Sequence, residues 1–100
     1  MTRLERDFQT LFCKRLEALY PGCHIIKPET GYLQGFPDRL FLHDRFWAAF
    51  EFKRERGSAR QANQDWYISN LNTMSFAAFV SPDNENEVLN ALQQAYGAGW

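Results

Sequence analysis

The stretch of sequence that decides the fold is Phe46-Trp47-Ala48-Ala49-Phe50-Glu51-Phe52-Lys53. Its aromatic and small apolar residues predict a β-strand that is covered by helices on both faces. Side chains alternate along a strand, so one face carries apolar groups while Glu51 and Lys53 lie together on the other. A row of solvated charges is not expected on a strand covered in this way.

A second strand is predicted immediately before this one, over residues 39 to 42, with a tight connection at residues 43 to 45. If Leu42 pairs with Trp47 across that turn, the same register places Asp38 directly opposite Glu51. Opposed residues in an antiparallel pair have Cβ atoms roughly 4.5 to 5.5 Å apart. Two carboxylates at that separation can bind one cation, and without a cation they repel each other.

The other helices and strands are predicted from the spacing of apolar residues and from the prolines and glycines that interrupt them. Helices are predicted over residues 3 to 20, over residues 59 to 72 and from Pro82 to Tyr96, with further strands over residues 24 to 27 and 76 to 80. The order is therefore α-β-β-β-α-β-α. A helix between the last two strands permits parallel pairing, so the sequence predicts an α/β (mixed α+β) fold with a mixed sheet flanked by helices.

Length and composition limit the class of protein. The chain has 100 residues, 45% of them hydrophobic and 16% aromatic, which predicts a single folded domain over residues 1 to 100. The net charge is −1, so no overall basic field indicates a nucleic-acid partner. No apolar run is long enough to span a bilayer. Two isolated cysteines and the absence of a signal peptide predict a cytoplasmic protein.

The first helix carries an apolar stripe at helical spacing, which is formed by Leu4, Phe8, Leu11, Phe12, Leu16 and Leu19. Glu5 falls on this stripe. At about 100° per residue, it lies on the same arc as Phe12 and Leu16, whereas Glu17 points away. An acid on a core-facing stripe needs a partner. The alternative is a simple first-turn acid that is stabilised by the helix dipole.

Four sequence elements together resemble a known family. Pro37-Asp38 precedes Glu51-Phe52-Lys53 by thirteen residues, in the Pro-Asp and Glu-x-Lys pattern of the PD-(D/E)XK nuclease superfamily. Glu5-Arg6-Asp7-Phe8-Gln9 is similar to the helix-one motif of its virus-type replication-repair nuclease (VRR-NUC) domains, and Asn63-Gln64-Asp65-Trp66 to their glutamine helix. The closing strand at residues 76 to 80 is also similar. Stand-alone phage versions, with a restriction-endonuclease-like core, are the best resemblance.

The resemblance implies a metal-dependent nuclease. Asp38, Glu51 and the carbonyl of Phe52 would bind Mg²⁺ or Mn²⁺, with Glu5 binding through water or recruiting a second ion. Lys53 would orient and help deprotonate the attacking water or stabilise charge on the phosphate. Gln64 would hold that water or the phosphate. Gln61 is the alternative glutamine, although Gln64 lies nearer the apolar face of its helix.

Basic residues around this motif are candidates for binding DNA. The family's arginine-containing hairpin is shortened here, which leaves Lys27 as the base that would contact phosphate. After Lys53, a phosphate track is predicted from Arg54, Arg56, Arg60 and Gln61. A solvated helix entrance explains the arginines equally well. His24 and His43 lack the spacing of zinc ligands and are expected at the surface or in turns.

The expected function is a DNA endonuclease, selective for Holliday junctions or other branched DNA, in phage replication, recombination or repair. The host cytoplasm would then be its location. Aromatic residues on loops and strand ends predict a homodimer, as in the stand-alone relatives, and they are Tyr32, Phe36, Phe46 and Trp47. The alternatives are a monomer with scattered surface aromatics, and a non-catalytic module that binds nucleic acid or protein.

Overall fold

The computed structural model describes residues 3–29, 31–55, 59 and 61–98, with side chains described from residue 6 to residue 97 of these ranges. Its elements are α1 (Arg3–Leu19), β1 (His24–Ile26), β2 (Arg39–His43), β3 (Phe46–Phe52), α2 (Ala62–Met74), β4 (Phe76–Val80) and α3 (Glu85–Ala98). The predicted order is confirmed. The boundaries differ mainly at α2 and α3, each of which begins three residues later than predicted and ends two residues later.

The four strands form one mixed sheet in the order β1-β2-β3-β4. The first two pairings are antiparallel, and β3 and β4 are parallel, because α2 returns the chain to the same end of the sheet. The predicted pairing of Leu42 with Trp47 is confirmed. The same register continues to Arg39 opposite Phe50, where β2 begins.

Helices cover both faces of the sheet, as predicted. On one face, α1 and α3 pack against the apolar face of β3, in a core built mainly from phenylalanine, leucine and valine: Phe12, Leu16, Phe41, Phe50, Phe52, Val80, Val88, Leu89 and Leu92. On the other face, α2 contributes Ile68 against Ala49 and Ala77. Glu51 belongs to this second face because it alternates with Phe50 and Phe52.

Two leucines of α1 do not lie where apolar periodicity placed them. Leu11 and Leu19 are exposed, and the buried stripe runs instead through Gln9, Phe12 and Leu16. The buried stripe is narrower than predicted because α1 packs against one face of the sheet, which leaves Leu11 and Leu19 exposed. One of the buried positions on α1 is polar, and it is Gln9.

The loop between β1 and β2 is anchored on the first turns of α2. Gly35 has a φ of +86°, and a Cβ there would lie 2.6 Å from Cβ of Asn63. Asn63 Nδ2 donates to the carbonyl of Gln34 at 3.3 Å, and the ring of Phe36 lies edge-on to that of Tyr67. Glycine is needed because both the positive φ and the close approach exclude a side chain. This anchor fixes the start of β2.

Among the described residues, no helix combines the length and apolar character that crossing a membrane requires.

Candidate active site

Asp38 completes the hairpin at the point where backbone pairing ends. Pro37 is fully buried, and Asp38 Oδ2 accepts a hydrogen bond of 2.9 Å from the backbone N–H of Phe52. The Asp38 carboxylate therefore takes the place of a β2 backbone carbonyl as the hydrogen-bond acceptor for the end of β3. Arg39 pairs with Phe50, so the next position of the same register places Asp38 beside Glu51 at the end of β3.

Glu51 is a carboxyl group in an unfavourable electrostatic environment. The residue is only 6% exposed. Burial, followed by the nearby charge of Asp38, raises the pKa of Glu51 from 4.5 to about 8, although Lys53 opposes the shift. Acids whose pKa is raised by burial and by a second carboxylate are concentrated at functional sites, and a bound cation would stabilise the charged form of both carboxylates.

Gln64 connects the acid to the lysine. Its Nε2 donates to Glu51 Oε2 at 2.9 Å, and its Oε1 accepts from Lys53 Nζ at 2.7 Å. The backbone N–H of Gln61 also donates to Gln64 Oε1, at 3.1 Å, across the first turn of α2. Of the two candidate glutamines, the structure thus brings Gln64 into the cluster, while the Gln61 side chain is exposed.

Lys53 is held at several points around its ammonium group. Its Nζ lies 4.0 Å from Glu51 Oε2, donates to the carbonyl of Ala59 at 3.3 Å, and lies 5.9 Å from the ring centre of Phe79. Only 14% of the side chain is exposed. The expectation that Glu51 and Lys53 lie side by side is confirmed, and the ammonium is fixed in direction by these contacts.

The donor set at the end of β3 fits a hard divalent cation. The described residues contain no group of three or more histidine, cysteine, aspartate or glutamate side chains arranged to hold a metal ion. Mg²⁺, however, commonly binds through one or two carboxylates and completes its shell with water and substrate oxygens. Asp38 and Glu51 supply that number, and the repulsion that raises the pKa of Glu51 is what a cation would relieve.

The side chain of Glu5 lies outside the described part of the chain, so its predicted role as a ligand stays a prediction. The helix that carries it, α1, packs on the sheet face opposite Glu51. One turn later on the same stripe, Gln9 is 4% exposed and its Oε1 has no hydrogen-bond partner among the described residues. Its helical spacing of four from Glu5 is the sequence signal that could have singled it out.

The predicted DNA-binding residues are only partly described. Lys27 is exposed and follows β1, and the pairing of Ile26 with Leu40 places it at the same end of the sheet as Asp38. Arg54 is exposed directly after Lys53. Arg56 and Arg60 lie outside the described residues.

The histidines do not form a metal site in the described structure. His43 is partly buried in β2, and not in the turn as expected: its Nδ1 lies 2.6 Å from Tyr96 Oη and its Nε2 lies 3.1 Å from the carbonyl of Pro21. Both ring nitrogens are used in holding α3 and the end of α1 against the sheet. His24 is exposed on the edge strand β1, as expected.

Comparisons of this chain with protein-family models, with curated proteins and with solved structures found no match in any of the three.

Proposed function

We propose that the protein is a metal-dependent DNA endonuclease of the PD-(D/E)XK type, similar to VRR-NUC domains. The observation that carries the proposal is the cluster at the end of β3, in which a buried Glu51 lies near Asp38 and is joined through Gln64 to Lys53. The cluster combines an acid pair that would bind a cation with a fixed ammonium group. Phosphodiester hydrolysis by this class of enzyme uses both, the metal to activate water and the ammonium to stabilise negative charge.

Asp38, Glu51 and the carbonyl of Phe52 would hold Mg²⁺ or Mn²⁺, with Glu5 as a further ligand. Once bound, the ion would neutralise phosphate charge and lower the pKa of water. Lys53 acts on the same phosphate: its ammonium group stabilises developing negative charge and orients the attacking water. Gln64 is a positioning residue because it holds Lys53 with one amide atom and Glu51 with the other.

DNA binding is assigned to basic side chains at the end of the sheet that carries the cluster of Asp38, Glu51 and Lys53. Lys27 and Arg54 would contact phosphates near the cluster, and Arg56, Arg60 and Gln61, which precede α2 in the sequence, would continue the track. The weak net charge of the whole chain is compatible with this assignment, because only this end has to attract DNA.

The substrate we propose is branched DNA, such as a Holliday junction, in phage replication, recombination or repair, and the active form is a homodimer. Of the four aromatic residues expected to form the interface, only Tyr32 is strongly exposed, at 82%. Phe36 packs on Tyr67 and Phe46 on Tyr96, while Trp47 packs against the α2 core. Support for a dimer comes instead from Ile26 and Leu42, which are exposed on the α2 side of neighbouring strands.

A non-catalytic binding module is the second candidate. It is favoured by the hydrogen bonds within the cluster, since Glu51, Gln64 and Lys53 satisfy one another as a structural network would. The experiment that separates the two is nicking of supercoiled plasmid DNA by purified protein with Mg²⁺, with Mn²⁺ and with EDTA. The nuclease predicts nicking with either metal and none in EDTA. Metal-independent binding without any nicking would favour the module.

A further inference from the structure

A cleft of about 420 Å³ lies at the end of the sheet where β3 and β4 finish. It is bounded by the first half of α1, by the residues that follow β3 and by Pro82, which follows β4. A volume of this size is in the range of small-molecule sites. The cleft adjoins the candidate active site because Lys53 lines it and also takes part in the cluster of Glu51 and Gln64.

The wall of the cleft on the α1 side is apolar and firmly held. The ring of Phe8 lies edge-on to Phe52, with centres 5.9 Å apart, and packs against Phe12 at 6.2 Å. These contacts hold the ring that lines the cleft. Leu11, one turn later, also lines the cleft and is 60% exposed. A fixed aromatic ring beside an exposed leucine is a surface suited to a flat apolar group.

The charged residues of the cleft balance one another. Lys53 and Arg54 line it together with Asp7 and Glu55. Among the described lining residues the two basic and two acidic side chains balance, so apolar contact and not net charge is what these residues offer an occupant. Lys53 lines the cleft and also belongs to the proposed site of phosphate cleavage.

The cleft offers an apolar wall for a flat group, and Lys53 beside it offers a positive charge for an anion. A nucleotide fits both, since its base is flat and largely apolar and its phosphate is anionic. In a duplex the base stays stacked and paired, and it cannot turn sideways into a cleft without being extruded. We propose that the cleft of Phe8, Leu11 and Pro82 receives an unpaired nucleobase of the strand whose phosphate lies at Lys53. The preferred substrate then has unpaired nucleotides next to the cut, as at branch points and flaps. This inference rests on the proposed nuclease function.

Binding to a short fluorescein-labelled oligothymidine tests the proposal, with fluorescence anisotropy in EDTA as the readout so that no cleavage occurs. The comparison oligonucleotide has the same phosphates but abasic residues at its centre. Stacking of one base predicts that the full-length wild-type chain binds the base-containing strand about fivefold or more tightly. Leu11→Ser should remove this difference, because it replaces an exposed apolar wall without touching the core.

Leu19→Ser is the matched control, since Leu19 is exposed to a similar extent, 56%, on the same helix but away from the cleft. It should keep the preference for the base-containing strand. The proposal is overturned if wild type binds neither strand, if it binds both equally, or if the two leucine variants behave alike. It is also overturned if Leu11→Ser changes the molecular mass in light scattering, since the cleft would then be an interface between copies.

Failure of the base cleft and failure of the nuclease assignment are distinguishable. If wild type nicks plasmid with Mg²⁺ but ignores the abasic substitution, only the cleft is wrong. If no DNA is cut under any metal condition, the nuclease assignment is wrong, whatever the binding preference.

Discussion

Gln64 donates its side-chain amide to Glu51 across 2.9 Å, and thereby links the first turn of α2 to the last acidic residue of β3. The two residues come from different layers of the fold and are thirteen positions apart. Because the amide oxygen of Gln64 also accepts from Lys53, the orientation of the amide is determined by its neighbours on both sides. Removal of either contact therefore affects an acid and a base together.

Gln64→Ala should lower the rate of DNA cleavage about tenfold to a hundredfold, since it removes hydrogen bonds to two ionisable groups. Gln61→Ala should lower the rate much less, because Gln61 reaches the cluster through its backbone N–H and its side chain would only contribute to DNA binding. Single-turnover cleavage of a labelled junction measures both. Equal losses in the two variants would contradict the assignment of Gln64.

Asp38→Asn and Glu51→Gln should each lower cleavage at least about a hundredfold while the fold is retained, because each removes a charged metal ligand and keeps the shape. Circular dichroism verifies the fold, and metal titration should show weakened binding. Asp65→Asn, on the first turn of α2, is a control for loss of one negative charge. Near wild-type cutting by either ligand variant with metal present would disprove the site.

Lys53→Ala should separate binding from chemistry. The carboxylates remain, so the protein should still bind Mn²⁺ in calorimetry. Because Lys53 lowers the pKa of Glu51, its removal should raise that pKa further and move metal binding to higher pH. Turnover should fall by about a hundredfold or more, since a fixed charge that stabilises the transition state is lost. Lys14→Ala is the control for the loss of one lysine. Complete loss of metal binding, or unimpaired turnover, is incompatible with the role given to Lys53.

Stability and metal affinity should depend on pH in opposite directions. Between pH 4.5 and about 8, metal-free folded protein keeps a proton on Glu51 that the unfolded chain has lost, so unfolding releases a proton. Stability should therefore fall as pH rises through this window, and Glu51→Gln should remove that fall. Metal must displace the same proton, so affinity should rise by roughly tenfold per unit up to about pH 8. Denaturant titrations and calorimetry at several pH values measure the two trends.

The homodimer predicts a doubled mass in light scattering at micromolar concentration and a preference for a four-way junction over a linear duplex of equal sequence. Ile26→Lys should produce monomers, because it places a charge on the exposed apolar face of β1. Leu19→Lys, on the exposed side of α1, should not. A wild-type monomer without junction preference would refute this assembly and leave the nuclease proposal standing.

Much of the fold could be predicted because its signals are local. The alternation of side chains along Phe46–Phe52 determined which of them share a face, and the turn length set the register that brings Asp38 to Glu51. Both follow from the period of a strand and the geometry of a hairpin. The sequence alone was therefore sufficient to predict that Asp38, Glu51 and Lys53 lie close together.

Other features were decided only by packing between layers. Periodicity placed Leu11 and Leu19 in the core, but α1 contacts the sheet along a narrower stripe and buries Gln9 instead. Helical position favoured Gln64 over Gln61, but the contact of Gln64 with Glu51 depends on where the first turn of α2 lies over β3. Sequence determines which groups share a strand, whereas the docking of helices on the sheet decides which groups from different elements meet.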